Sequence, residues 1–278
     1  MCRTEMDYQS FLRCPLCGQA FERIGNSLVC PGRHTYDIAR GGYVNLLTGR
    51  AAAHGDNAAM IASRRTFLEG GYYSLLRDAV AEASVRHLPD GGTVLDAGCG
   101  ECYYTLGVAA RLAEAGKAAS LFGFDVSKDA VIAGAKRKCA ALFTASSYAI
   151  PVFDGSVDLL LSLFAPLAAE EFRRVLEPGG HLLMAVPAAR HLFGLKEVLY
   201  DTPYENPPCD EALAGFTLPE RQDVHGRIRL TRREHMDSLF AMTPYFYRTP
   251  EAGRRRFAAL TELNTEISFH LYIYRKEH

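Results

Sequence analysis

The sequence predicts an α/β fold: a mostly parallel sheet with an antiparallel edge, preceded by a small unit built around a metal. Three observations carry this. From Thr93 onward, short apolar runs alternate with helical patterns. The strands fall at 93–97, 120–125, 141–145, 157–163 and 180–186, and the helices at about 103–115, 127–138, 167–176 and 189–199. Such crossovers are right-handed and place helices on both faces of a parallel sheet. Toward the C-terminus the pattern turns strand-like over 223–230 and 265–274, with Ile267, Phe269, Leu271 and Ile273 on one face. That suits an antiparallel hairpin at the sheet's edge. At the other end of the chain, cysteine and histidine fall in two close pairs.

Those pairs are Cys14-Pro15-Leu16-Cys17 and Cys30-Pro31-Gly32-Arg33-His34, spaced C-x2-C-x12-C-x3-H. Four soft or borderline donors in two half-sites suit tetrahedral Zn²⁺, and four protein ligands leave no open position, so this zinc is structural. The other cysteines of the main body, Cys99, Cys102, Cys139 and Cys209, are read singly and not as metal half-sites. Between the half-sites, Phe21 and Leu28-Val29 read as short hairpin strands. Residues 36–47 then alternate aromatic and polar groups. So small a unit cannot stand on apolar burial, and the metal must supply its stability. The expected plan is a zinc-binding domain over 1–47, a small-residue linker over 48–57 and the main domain over 58–278. Helices over about 57–69 and 74–87 open that domain, separated by Gly70-Gly71.

The chain has 278 residues, of which 48% are apolar, enough for one sizeable core and an appendage. A net charge of −1 advertises no polyanionic or membrane partner in bulk. No apolar run nears the roughly 20 residues of a spanning helix, and Met1–Ser10 is too polar for a signal peptide. A cytoplasmic protein without a membrane partner is expected.

The site is centred on Thr93-Val94-Leu95-Asp96-Ala97-Gly98-Cys99-Gly100-Glu101-Cys102-Tyr103. A buried strand ends in a glycine turn, and a helix starts just beyond, with free N–H groups and a positive dipole end. A dinucleotide fingerprint wants a third glycine where Tyr103 stands, and Asp96 would repel a pyrophosphate. A cationic ligand would be welcome there. The acidic-x-Gly-x-Gly pattern resembles motif I of S-adenosylmethionine (AdoMet)-dependent methyltransferases, which place these strands in a Rossmann-like fold. Those enzymes usually have one more glycine where this chain has Cys102, so helix packing is expected to loosen there. A nucleotide site of another Rossmann-like kind is the alternative from this stretch alone. Asp125 ends the second strand, where an acidic side chain accepts hydrogen bonds from a ribose diol. Capping the next helix is its other reading, a task Ser127 could take instead.

Taken together, the chain resembles the bacterial 23S ribosomal RNA guanine-N1 methyltransferases of the zinc-containing kind that modify a hairpin loop. The resemblance rests on both metal half-sites, Gly42-Tyr43-Val44-Asn45-Leu46-Leu47, Gly55-Asp56, Arg64-Arg65-x-Phe67-Leu68 and Tyr73. It rests further on Asp125-Val126-Ser127-Lys128, Ala145-Ser146-Ser147, Ala165-Pro166, Pro178-Gly179-Gly180 and Arg190-His191-Leu192, in order from about residue 12 to 243. It implies zinc at Cys14, Cys17, Cys30 and His34. It implies AdoMet contacts from Tyr73, Gly100, Glu101 and His191, with Asp96, Gly98 and Asp125 by analogy to methyltransferases at large. The partner it implies is a 23S rRNA hairpin, and it leaves room for a homodimer. The chain departs from its relatives in having no tryptophan, so any base stacking falls to Tyr or Phe.

Guanine N1 carries a proton, and Ser162-Leu163-Phe164-Ala165-Pro166, at the end of the fourth strand, offers no acidic residue as base. His191 is open to a base or a cofactor-positioning role, the second being favoured. Arg33 and Arg40 on the zinc side and Arg64 and Arg65 on the next helix are the expected phosphate contacts. The arginines at 227–233 and 254–256 read as solvated faces. Deleting residues 1–47 is expected to abolish RNA methylation and leave AdoMet binding largely intact. The alternatives are a methyltransferase for another RNA or a small molecule, and a non-catalytic AdoMet-binding RNA-binding module.

Overall fold

The computed structural model describes residues 8–48 and 57–277. The N-terminal part holds α1 (Tyr8–Phe11), β1 (Glu22–Ile24), β2 (Ser27–Val29), β3 (Thr35–Asp37) and β4 (Tyr43–Asn45). Strands β1, β2 and β3 form a small antiparallel sheet, its first turn made by Gly25 at φ +62° and Asn26. Then come α2 (Ala58–Glu69), α3 (Ser74–His87), β5 (Thr93–Ala97), α4 (Tyr103–Glu114), β6 (Ser120–Asp125), α5 (Lys128–Ala135) and β7 (Ala141–Thr144). The rest is β8 (Val157–Leu163), α6 (Ala169–Val175), β9 (Leu176–Pro187), α7 (Phe193–Leu199), β10 (Phe216–Leu230), α8 (Arg233–Ala241), α9 (Tyr245–Arg248), α10 (Glu251–Ala258) and β11 (Leu263–Lys276).

The main sheet has eight strands in the order β10-β11-β9-β8-β5-β6-β7-β4. The strands from β9 to β4 are parallel, while β11 runs antiparallel to both β9 and β10. This is the Rossmann-like methyltransferase sheet with its antiparallel edge. The alternating strands and helices read from the sequence are present within a few residues. The hairpin is longer than expected, and its connection carries α8, α9 and α10, which the sequence pattern did not suggest. There the arginines bind carbonyls and acids. Arg233 donates to Phe257 O at 3.0 Å, Arg256 to Val198 O at 2.8 Å, and Arg255 pairs with Glu251 at 2.7 Å. Helix α2 starts close to where it is expected, capped by Asn57, whose Oδ1 accepts the Met60 N–H at 3.0 Å. The rest of the expected linker, residues 49–56 with Gly55-Asp56, lies outside the described residues.

The N-terminal unit is built into the main sheet. β4 lies at the sheet's edge, with Tyr43, Val44 and Asn45 paired to Leu142, Phe143 and Thr144. Residues 145–156, which join β7 to β8, contain no helix. The surface that a crossover helix would cover is taken by α1 and the turn after it. Phe11 stacks on Phe122 with ring centroids 3.7 Å apart, and Leu12 bridges to Val152. Tyr8 Oη donates to Gly42 O at 2.6 Å and accepts the Leu142 N–H at 3.2 Å. Tyr8, Phe11, Leu12, Val44 and Leu46 share one apolar core with Phe124, Phe143, Val152 and Phe172. Residues 8–47 thus share a strand pairing and an apolar core with the sheet, whereas the sequence suggested a separate unit over 1–47.

Candidate active site and metal centre

The metal half-sites sit on two tight turns. In the first, Gly18 at φ +71° lets its N–H return to Cys14 O at 2.8 Å, and Cys14 N–H reaches Gln19 O at 2.8 Å. In the second, Arg33 at φ +63° donates its N–H to Cys30 O at 2.8 Å, which swings His34 inward. The donor atoms of Cys14, Cys17, Cys30 and His34 all lie within 4.8 Å of one another. Cys17 and Cys30 Sγ are 3.5 Å apart, and His34 Nδ1 is 3.4 Å from both Cys14 and Cys30 Sγ. Zinc–sulfur bonds of about 2.3 Å put tetrahedral donors roughly 3.5–3.8 Å from one another, so the cluster has the dimensions of a zinc site. Three thiolates and an imidazole complete the tetrahedron, and the zinc is structural.

At the carboxyl end of β5 the chain turns through three left-handed residues, Gly98 (φ +80°), Gly100 (φ +53°) and Cys102 (φ +65°). A Cβ on Gly98 would stand 2.7 Å from Ala165 Cβ, so this glycine lets the β5 and β8 loops close on each other. Around Gly100 nothing lies within 4 Å of such a Cβ, which leaves one side of the loop open to a ligand. Cys102 adopts the conformation that usually calls for glycine, and its sulfur is fully buried. Gly134 on α5 makes the room, since a Cβ there would meet Cys102 Sγ at 2.9 Å. The packing expected to loosen is therefore preserved by a second glycine.

Asp125, at the end of β6, holds the loop. Its Oδ2 accepts the Gly100 N–H at 2.9 Å and its Oδ1 the Ser127 N–H at 2.8 Å. A carboxylate at the end of this strand is of the type that accepts hydrogen bonds from a ribose diol. Ser127 takes the capping role, its Oγ accepting the Ala130 N–H at 3.3 Å. Asp96 lies beneath the loop, 2% exposed, and accepts Thr105 Oγ1–H at 2.5 Å. Burial, with Asp125 nearby, pushes its carboxyl up to about 7 against the pull of Thr105. Glu101 is engaged elsewhere. Its carboxylate, 2% exposed, pairs with Arg65 on α2 at 2.5 Å and with Arg137 at 2.9 Å. These pairs hold the Glu101 carboxylate and remove Arg65 from the free cations.

Tyr73 and His191, each expected at the cofactor, lie against one another, with Oη 3.0 Å from Nε2. His191 Nδ1 accepts the Ser268 N–H at 3.2 Å, so Nε2 carries the proton and donates to Tyr73 Oη. That leaves the tyrosine O–H to donate outward. Burial, helped by nearby Lys196, drives the imidazole down to about 3, and both nitrogens are engaged. His191 is thus held neutral between Tyr73 and the Ser268 N–H, an arrangement that suits positioning better than proton acceptance. Tyr73, Tyr104, Phe164 and Phe269 wall the same end of the sheet, with Tyr73 edge-on to Phe269 at 5.0 Å. Tyr104 Oη and Ser162 Oγ are buried with no hydrogen-bond partner among the described residues. Buried hydroxyls, an open glycine loop, a buried acid and a carboxylate at the end of β6 together fit S-adenosylmethionine. Sequence reasoning missed Tyr104, Phe269 and Lys196. The fully buried Lys196 donates to Tyr204 O at 2.9 Å and Asn206 Oδ1 at 2.8 Å, fastening that segment beside the site. A lysine in an amphipathic helix carries no sign of such a role.

The Asp96 environment predicts a pH dependence. Its folded value lies above the unfolded value of about 4, so its stabilising contribution is complete below about 4 and is lost as pH rises toward 7. A cationic cofactor favours the ionised form. AdoMet affinity is therefore expected to rise with pH up to about 7 and then level off, with proton release on binding below that point. Calorimetry in buffers of different ionisation enthalpy checks this, and Asp96→Asn should lose the dependence. Flat affinity between about pH 6 and 8 in the wild type would count against it.

Comparison with known proteins agrees with both sites. The zinc-ribbon family described as "RlmA, N-terminal" matches residues 12–50, and a general methyltransferase domain matches residues 94–180. A Streptomyces fradiae 23S rRNA (guanine(748)-N(1))-methyltransferase is 32% identical over 93% of this chain and 95% of its own. A Micromonospora griseorubida protein, provisionally named a 23S rRNA (guanine-N1)-methyltransferase, is 37% identical over 92% of this chain and 94% of its own. YxjB of Bacillus subtilis, provisionally named in the same way, is 33% identical over 87% of this chain and 89% of its own. With an AdoMet-type sheet, a zinc ribbon and relatives this similar over nearly their full length, the chain belongs to the 23S rRNA (guanine-N1)-methyltransferase family.

Proposed function

We propose that this chain transfers a methyl group from S-adenosylmethionine to N1 of a guanine in a hairpin loop of 23S ribosomal RNA. The observation that carries this is an AdoMet-shaped site and a zinc ribbon joined on one sheet, in a chain about a third identical to relatives named for that reaction. Such a substrate belongs with the ribosome in the cytoplasm. Among the described residues no helix is long and apolar enough to cross a membrane.

When bound, the cofactor supplies an already activated, cationic methyl donor. What this chain must add is placement and dryness. Gly98 and Gly100 let the loop approach the cofactor. Asp125 holds the ribose, and the Tyr73 hydroxyl, oriented by His191, serves the other end. A loop guanine is unstacked and turned into the aromatic-walled mouth, which costs less for loop bases than for paired ones. The N1 proton does not go to His191, whose two nitrogens are engaged.

The RNA-facing cations are fewer than the sequence suggested. Arg65 is bound to Glu101, and Arg64 has an interaction of its own. Arg40 lies in the turn before β4. Because Tyr43 pairs with Leu142 near the start of β7, that turn sits at the amino ends of the parallel strands, away from the cofactor loop. Arg33, exposed on the metal turn and without an ion pair among the described residues, is left as the zinc-side phosphate contact. Radiolabelled methyl transfer from AdoMet to an unmodified 23S rRNA transcript, followed by mapping, tests the proposal. Label at guanine N1 in one hairpin loop is expected. Label elsewhere, or on small acceptors only, would replace it with another methyltransferase reading, and binding without transfer would indicate a non-catalytic module.

A further inference from the structure

Phe164 is the residue at the mouth whose conformation packing alone does not explain. Its backbone is left-handed at φ +60°, a region that a bulky side chain avoids. Its ring is 46% exposed, whereas Tyr73 and Phe269 behind it are 4% and 0% exposed. The rings stand in one group: Phe164 is edge-on to Phe269 at 5.6 Å and tilted against Tyr104 at 6.3 Å and Tyr73 at 6.5 Å. Next in sequence is Ala165, whose Cβ meets the Gly98 turn of the cofactor loop. The Phe164 N–H is fixed to Ala185 O at 3.3 Å, so the turn is held from the β9 side as well. A strained backbone thus presents an apolar ring to solvent beside the methyl donor's loop, braced by three other rings. Strain of this kind persists where the surroundings enforce it and gathers at ligand clamps.

We propose that Phe164 is the stacking platform for the target purine, setting the plane in which guanine N1 meets the methyl group. This rests on the RNA reading above. In a chain without tryptophan, a phenylalanine ring is a sequence-tolerant surface on which an unstacked base can lie. The braced rings fix its tilt, so the platform orients the base as well as holding it. It makes no charged contact, so it contributes affinity and geometry without counterion release.

The test uses the full-length zinc-loaded enzyme and an unmodified 23S rRNA transcript. Phe164→Leu keeps an apolar side chain and removes the π-face, while Phe164→Tyr keeps the face. For Phe164→Leu, kcat/KM for the transcript is expected to fall on the order of tenfold to a hundredfold, the range of a lost base–aromatic stack. AdoMet affinity and the salt dependence of RNA binding should stay at wild-type values, and Phe164→Tyr should restore most of the activity. If Phe164→Leu methylates at the wild-type rate, or if it loses AdoMet binding as well, the ring is a structural prop and the inference is overturned. A wild-type enzyme that leaves the transcript unlabelled would instead overturn the RNA reading, and this inference with it.

Discussion

Deleting residues 1–47 is expected to abolish S-adenosylmethionine binding together with methyl transfer, because the sheet no longer folds. The sequence led to the opposite expectation for the cofactor. The structure shows what the deletion removes: the edge strand β4, the stacked Phe11, and Tyr8, Leu12, Val44 and Leu46. Burying side chains of that size is worth about 1.5–3 kcal/mol each. Five of them amount to roughly 8–15 kcal/mol, as much as the whole stability of an ordinary domain. The deletion also bares Phe122, Phe143 and Val152. Circular dichroism and calorimetry of the truncated chain should show no cooperative melt and no AdoMet binding. A truncated chain that melts cooperatively and binds AdoMet normally would restore the separable-domain view. Removing the zinc should act in the same direction more mildly, because the metal holds the turns at Cys14–Gly18 and Cys30–His34 that carry this surface.

Asp125→Ala is expected to weaken AdoMet binding on the order of a hundredfold, the upper part of the range for a charge-assisted hydrogen bond. The large effect follows from a double role. The carboxylate that can accept a ribose diol also fixes the Gly100 and Ser127 N–H groups, at 2.9 and 2.8 Å. Without it, the glycine loop must be ordered when the cofactor binds, and that ordering opposes binding. Asp125→Asn keeps one acceptor oxygen and should fall between the two. Calorimetric affinity unchanged in a folded Asp125→Ala protein would remove Asp125 from the cofactor site.

The sequence showed the parallel sheet, the glycine turn and the metal cluster because each obeys a local rule. Alternating apolar runs give strands, Asp96-x-Gly98-x-Gly100 gives the turn, and paired cysteines give the knuckle. What it concealed depends on contacts distant in sequence. Glu101 gave no sign in the sequence of its ion pairs, one to Arg65 on α2 and one to Arg137 in the turn after α5. His191 looked able to accept a proton, but the Ser268 N–H and the Tyr73 hydroxyl occupy both nitrogens. Cys102 looked disruptive until Gly134, some thirty positions on, proved to make the space. Helices α8, α9 and α10 were missed because they are short and rich in arginine, and tertiary contacts fix them more than propensity does.

The seat of α1 and β4 on the sheet also has a consequence for biosynthesis. β4 leaves the ribosome about a hundred residues before its partner β7, and Phe11 still longer before Phe122 can bury it. At roughly 5–20 residues per second, the nascent metal knuckle waits for many seconds with an open apolar face. Closing so long an intervening stretch adds to the entropic barrier and slows folding. Zinc captured early would keep the tyrosine, the phenylalanine and the edge strand in register during that wait. Zinc supplied during translation is then expected to bring more of the chain to its native state than zinc added afterward.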